Sequence, residues 1–196
     1  MDVDKSAERI AIYYSRIVRN FPQAIASFEK FLKNELTPKY LNDQFKQWIK
    51  QYQFLNSLPQ INPKLAAEND IFALLKSIKK AETFSKDGPP LVINQYQAGL
   101  LYEYLNTNPT SKRTPEILYN LAIFDSLLDD NFFFSLTDIY LKDCVVRFPK
   151  SKVAQLCFSE LENRIELSFT GSRGTSIPAD VKSELNRLKK HLKKKK

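Results

Sequence analysis

Apolar residues recur along most of the chain at steps of three and four, the period of one face of an α-helix. Ile10, Tyr13, Tyr14, Ile17 and Val18 set the first such stripe and predict a helix over 4–20 with these five turned inward. Phe21-Pro22 ends it, because the residue before a proline is pushed out of the helical region. Ile25, Phe28, Phe31 and Leu32 set the second stripe, over 23–34. Thr37-Pro38 reads as a cap followed by proline at the first helical position. Behind it, Leu41, Phe45, Trp48, Tyr52 and Leu55 alternate steps of four and three, with Lys46 and Lys50 outside the stripe. Asn62-Pro63 repeats the start signal ahead of Ile71, Leu74, Leu75 and Ile78.

The run from Ser85 through Gly88 to Pro89-Pro90 breaks the pattern and sets an expected boundary between an N-terminal helical part, 1–86, and a C-terminal part, 90–196. A helix over 91–106 follows, with Tyr96, Leu100, Leu101, Tyr104 and Leu105 inward. Thr114-Pro115-Glu116 opens a helix to Leu128, Asp129-Asp130-Asn131 turns the chain, and Phe132 to Arg147 forms the next helix. Ser151 caps another, in which Val153, Cys157, Leu161 and Ile165 recur every four residues. Thr170 to Ser176 reads as a polar loop, and Pro178 opens a last helix on Val181, Leu185, Leu188 and Leu192, with the lysines beyond as its frayed end. The expectation is an all-α fold of about nine helices with no strand.

Two segments repeat. Asn108-Pro109-Thr110-Ser111-Lys112 and Phe148-Pro149-Lys150-Ser151-Lys152 share Pro-x-Ser-Lys, with the prolines 40 residues apart. The same register pairs Leu101 with Leu141, Leu118 with Phe158, and Leu121 with Leu161. Such a period marks stacked helical hairpins that bury their apolar faces on one another, and it predicts a superhelical array of antiparallel hairpins.

Phe148-Pro149-Lys150-Ser151, with Ala154 and Cys157 at small-residue positions, resembles the tetratricopeptide-like repeats of bacterial envelope assembly lipoproteins, those of β-barrel assembly and Tol–Pal coordination. The resemblance covers about residues 90 to 165. The 40-residue period departs from the standard 34, Asp125 falls where the family carries Gly, and Thr137 and Cys144 fall where it carries Ala. The resemblance implies a protein-binding scaffold in a bacterial envelope, with periplasmic or outer-membrane location, and carries over no catalytic residue.

Charge changes the picture at one end only. The formal net charge is +8, and Arg187, Lys189, Lys190, Lys193, Lys194, Lys195 and Lys196 supply seven of these charges without an intervening acid. The remainder is near neutral, so the basic character belongs to a tail rather than to a face of the fold. That tail could hold nucleic acid or anionic lipid by charge, which gives a second reading of function; an accessory helical domain of a larger protein gives a third. No run of about 18 apolar residues would span a membrane. The acidic, polar opening from Met1 to Glu8 is not a signal peptide, which leaves a cytoplasmic protein or one whose leader was removed.

Candidate chemistry is sparse. Three consecutive helical side chains, Phe132, Phe133 and Phe134, sweep about 200°, so one face cannot bury them all. Burial between two neighbouring helices is the favoured reading; an exposed ring that anchors a partner is the sharper one. Tyr96, Tyr119, Phe132, Phe133 and Phe134 form the expected contact surface for a partner's helix or extended segment. Cys144 and Cys157 read first as small core residues, next as a disulfide, which needs Cα atoms within about 7 Å, and last as a catalytic thiol. The only histidine, His191, has no ligand-spaced neighbour, and the Gly171–Ser176 loop lacks phosphate-cradling spacing. No metal, cofactor or enzyme activity is expected. The primary expectation is a non-catalytic protein–protein interaction scaffold.

Overall fold

A computed structural model describes residues 3–80, 90–128, 136–172 and 174–194. Among them the fold is all-α: nine α-helices and one two-stranded turn of sheet. The chain forms two compact units, Met1–Thr107 and Asn108–Lys196. The division therefore follows the helix at 91–107 rather than preceding it at Pro89-Pro90.

In the first unit, α1 (Val3–Ile12) continues into a π-helical turn (Tyr13–Val18), which ends on Arg19 in the left-handed region at φ 54°. α2 (Phe21–Lys33) begins two residues before the expected start, with the Asn20 side chain accepting from the Gln23 amide at 3.1 Å. α3 (Asn42–Ser57) follows a short 3₁₀ turn at Lys39–Leu41. The Asn62-Pro63 signal makes a turn instead of a helix: the Asn62 side chain accepts from the Lys64 amide at 3.1 Å, and α4 spans Glu68–Lys80. α5 (Leu91–Thr107) completes the unit.

The core of this unit is aromatic. Phe21 and Phe28 of α2 meet Phe45, Trp48 and Tyr52 of α3, with the Phe28–Trp48 centroids 5.2 Å apart and Phe28–Phe45 at 5.4 Å. The predicted α3 stripe is buried at all five positions. Each such side chain contributes roughly 1.5–3 kcal/mol relative to exposure. α5 packs against the π-helical turn, α3 and α1, and eleven of its residues are buried, polar ones included. The Gln51 side chain accepts from the Val92 and Ile93 amides at 3.1 and 3.4 Å, satisfying the first turn of α5.

α1 turns a different face inward from the one its large residues predict. Ala7, Ala11, Ser15 and, beside them, Ile12 are buried, while Tyr13, Ile17 and Val18 are exposed. The reason lies on α5. A β-carbon at Gly99 would collide with the Arg16 carbonyl oxygen, so the two backbones nearly touch there. Only small side chains fit between helices at that distance. Tyr52 reaches into the same seam and donates to the Ala11 carbonyl at 2.6 Å, beside Ser15, which donates to it at 2.8 Å.

In the second unit, α6 (Thr114–Asp125), α7 (Thr137–Arg147) and α8 (Lys152–Ser168) pack against one another, and α9 (Ala179–Lys194) lies on α7 and α8. Their buried faces carry Ile117, Leu118 and Leu121, then Leu141 and Val145, then Ala154, Phe158 and Leu161. Asp125 ends α6 and starts α7: buried, it accepts from the Leu136 amide at 2.8 Å. The expected loop at 170–176 contains β1 (Thr170–Gly171) and β2 (Gly174–Thr175), paired antiparallel. This corrects the strand-free expectation; Gly174 supplies the φ of 97° that the turn needs.

Cys144 and Cys157 form a disulfide between α7 and α8, with their Cα atoms 6.4 Å apart. The reading of two merely small core residues is thereby corrected. The residues are both buried, as that reading required, and the short turn between the helices brings them within bonding distance.

Candidate functional site

Of the five residues of the aromatic surface expected from sequence, the structure describes Tyr96 and Tyr119. Tyr96 is 1% exposed, edge-on to Phe21 with centroids 5.4 Å apart. It is a core residue, because α5 is enclosed by its neighbours and has little outward face. Burial raises the Tyr96 phenol above its ordinary pKa, against the opposing pull of the Arg19 charge. Tyr119 is half-buried on α6. Phe132, Phe133 and Phe134, with the Asp129-Asp130-Asn131 turn, lie outside the described residues.

The first unit exposes an apolar surface of its own. With the small face of α1 against α5, the large stripe Ile10, Tyr13, Tyr14, Ile17 and Val18 is left toward the outside. Ile10 and Tyr14 partly cover the core, while Tyr13, Ile17 and Val18 are 51%, 62% and 41% exposed. The π-helical closure helps, since i→i+5 bonding sets residues four and five apart on one side. Beside the stripe lies a surface concavity of about 400 Å³ lined by Arg9, Ile10, Tyr13, Tyr14, Ser27 and Phe31. The Tyr13 and Tyr14 rings meet edge to face at 5.6 Å. Arg16 and Arg19 hold the ledge in place: Arg16 donates to the Gln95 side chain at 3.2 Å, and Arg19 pairs with Glu103 at 2.7 Å. The sequence pattern picks out these apolar residues but assigns them to the core. The signal that separates the two faces is the parallel series Ala7, Ala11, Ser15 at steps of four.

The basic end is ordered slightly further than expected: α9 carries Arg187 to Leu192 as the apolar stripe predicts and continues through Lys193 and Lys194. Leu185 and Leu188, both buried, hold that helix down. Lys189 faces α8, 3.4 Å from Glu162 and 5.7 Å from the Phe158 ring centroid. The His191 Nε2 lies 3.1 Å from the Val146 carbonyl oxygen, within hydrogen-bond distance. Lys142 and Glu184 pair at 3.1 Å. Lys195 and Lys196 lie outside the described residues.

The repeated segments share local geometry. The Ser111 amide donates to the Asn108 carbonyl at 3.2 Å, and the Ser151 amide to the Phe148 carbonyl at 2.9 Å. The Ser111 hydroxyl accepts from the Arg113 amide at 3.0 Å, and that of Ser151 from the Val153 amide at 3.1 Å. The 40-residue echo is thus one turn used twice, its serine capping α8 in the second copy and lying two residues ahead of the α6 N-cap, Arg113, in the first. Among the described residues no group of His, Cys, Asp and Glu side chains could hold a metal ion, and no helix is long and apolar enough to cross a membrane. Comparison with known protein families, curated proteins and solved structures finds no match.

Proposed function

We propose that the chain is a non-catalytic helical scaffold that binds another protein, gripping a partner helix along the outward stripe of the first unit. The observation that carries this reading is the exposure of Tyr13, Ile17 and Val18 on one turn while small residues fill the core behind them. Contiguous apolar surface of this kind marks interaction sites, and aromatic anchors near a concavity supply most of the binding energy in such interfaces. A partner helix would set its own apolar residues against the stripe.

The finer reading, a tetratricopeptide-like scaffold in a bacterial envelope, is supported by the Phe148-Pro149-Lys150-Ser151 turn that leads into α8 and by the Cys144–Cys157 bridge. Disulfides persist in oxidising compartments such as the periplasm.

The test is photo-crosslinking in the host from a photoreactive residue at position 17, with identification of the adduct, beside the double variant Tyr13→Ser, Ile17→Ser. The expected result is a discrete protein adduct that disappears in the Tyr13→Ser background. The double variant should keep its helical signal and melting temperature. No discrete adduct, or a large drop in melting temperature, would sink the reading and return these residues to a structural role.

A further inference from the structure

α9 sorts its cations by partner. Lys189 is engaged with Glu162 and Phe158, on the flank that lies against α8. Lys182, Arg187, Lys190 and Lys193 have no ion pair or hydrogen bond among the described residues. All four are exposed. At about 100° per residue they share one arc of about 140° with Ser183 and Asn186, opposite Val181, Leu185, Leu188 and Leu192. Six of the seven residues lining a surface concavity of about 760 Å³ come from that arc: Ala179, Lys182, Ser183, Asn186, Arg187 and Lys190. From Lys182 to Lys193 the row is about 17 Å long.

The chemistry of this face selects its occupant. Four cations held in a row on an ordered helix call for a partner with dense, regularly spaced negative charge. The face carries no large apolar side chain, and a protein interface without aromatic or aliphatic anchors lacks the residues that dominate binding energy. A membrane is disfavoured for a separate reason. An amphipathic helix enters the lipid interface through its apolar face, and here Leu185 and Leu188 are spent on the protein core at 8% and 3% exposure. A nucleic acid meets the requirement, since its duplex carries one charge per about 1.7 Å of axis. Ser183 and Asn186 add neutral donors suited to phosphate oxygens. With no aromatic residue in the row there is nothing to stack on bases.

We infer that the outward face of α9, through Lys182, Arg187, Lys190 and Lys193, docks the sugar–phosphate backbone of a nucleic acid without base preference. This site is separate from the apolar stripe of the first unit and does not depend on it.

The experiment is fluorescence anisotropy with the full chain and short labelled single-stranded and duplex oligonucleotides of mixed sequence. Vesicles of phosphatidylglycerol in phosphatidylcholine are the second probe. Wild type should bind oligonucleotides of unrelated sequence equally. Its log affinity should fall with log salt at a slope of about −3.6 on duplex and about −2.8 on single strands, as four neutralised phosphates require. Lys182→Glu, Arg187→Glu, Lys190→Glu should weaken binding at least tenfold and flatten that slope. Lys64→Glu, Lys76→Glu, Lys79→Glu, with the same charge change on exposed positions elsewhere, should stay within twofold of wild type. If the triple variant loses its helical signal, Lys182→Gln with Lys190→Gln decides, and must also weaken binding. The inference is overturned by any of four results: no oligonucleotide binding by wild type, vesicle binding alone, equal loss in the control variant, or full binding by the α9 variants with loss only on deleting residues 194–196.

Discussion

Gly99 on α5 lies so close to Arg16 that a β-carbon on the glycine would run into the arginine's carbonyl oxygen. Backbone, unlike a flexible side chain, cannot step aside. Gly99→Ala gains about 1 kcal/mol of helix propensity but forces the helices apart, and overpacking costs typically about 1–3 kcal/mol. The clash should win. Urea unfolding should show a net loss of stability, and an unchanged or raised midpoint would show that the seam can open.

The same seam predicts an asymmetry between the two faces of α1. Ala11→Leu adds volume to a fully buried position and should cost about 1–3 kcal/mol or abolish folding. Ile17→Ser, at 62% exposure, should change stability by no more than about 0.5 kcal/mol. Thermal melts of the two variants check this directly, and a reversed order would mean the large stripe is the core face after all.

Tyr52 sets an alkaline limit. Burial pushes its phenol far above the ordinary value of 10.0, outweighing the opposite effect of the Ser15 hydroxyl; Tyr96 is raised by burial as well. The folded state therefore holds protons that the unfolded chain releases. The stabilisation is fully present below the unfolded pKa of about 10 and is lost as pH rises beyond it. Melting temperature should fall above about pH 10, with two tyrosines ionising late in near-ultraviolet absorbance. Tyr52→Phe should soften that fall while costing about 1 kcal/mol at neutral pH, since the Ala11 carbonyl keeps its bond from Ser15.

Ser111 and Ser151 make the same hydroxyl-to-amide bond in their turns, but only Ser151 is the N-cap of its helix, α8; Ser111 bonds the amide of Arg113, the N-cap of α6. Replacing a capping serine by alanine costs about 1 kcal/mol. Ser151→Ala should show that loss, and Ser111→Ala, which removes a turn bond ahead of the helix rather than a cap, should cost less. Denaturant midpoints of the two variants settle the comparison. An equal loss in Ser111→Ala would mean that the turn bond supports α6 as strongly as a cap does.

The Cys144–Cys157 bridge closes a short loop, for which the chain-entropy account gives about 3 kcal/mol. Cys144→Ser with Cys157→Ser should lower stability by roughly that amount, measured against the oxidised wild type. Reducing agent should lower the wild type toward the variant and leave the variant unmoved.

Local signals are legible where one element decides its own packing. The α3 stripe from Leu41 to Leu55 and the Ser151 cap can be read directly, because large apolar residues and a capping hydroxyl report on their own helix. The first helix misleads because its partner decides the matter. Which of its two stripes turns inward depends on how near α5 can come, and Gly99 sits 83 residues from Arg16 in the chain. Tyr96 misleads for a related reason: a helix enclosed by several neighbours buries polar residues such as Gln95 and Gln97 too, so amphipathic contrast no longer marks a surface. On α9 the charges are plain in sequence, but which lysine pairs with Glu162 and which have no partner among the described residues is a property of the packed helices.

Lys150, in the turn that the disulfide spans, and Lys152, at the start of α8, are exposed. A protease that cuts after either lysine would open the backbone yet release nothing, because sulfur would still join the two pieces. Nicked protein would migrate as one species until a reductant separated it. The neighbourhood of α7 and α8 is thereby fastened twice, and a break in the main chain at that corner would leave the two pieces covalently joined once the bridge has formed.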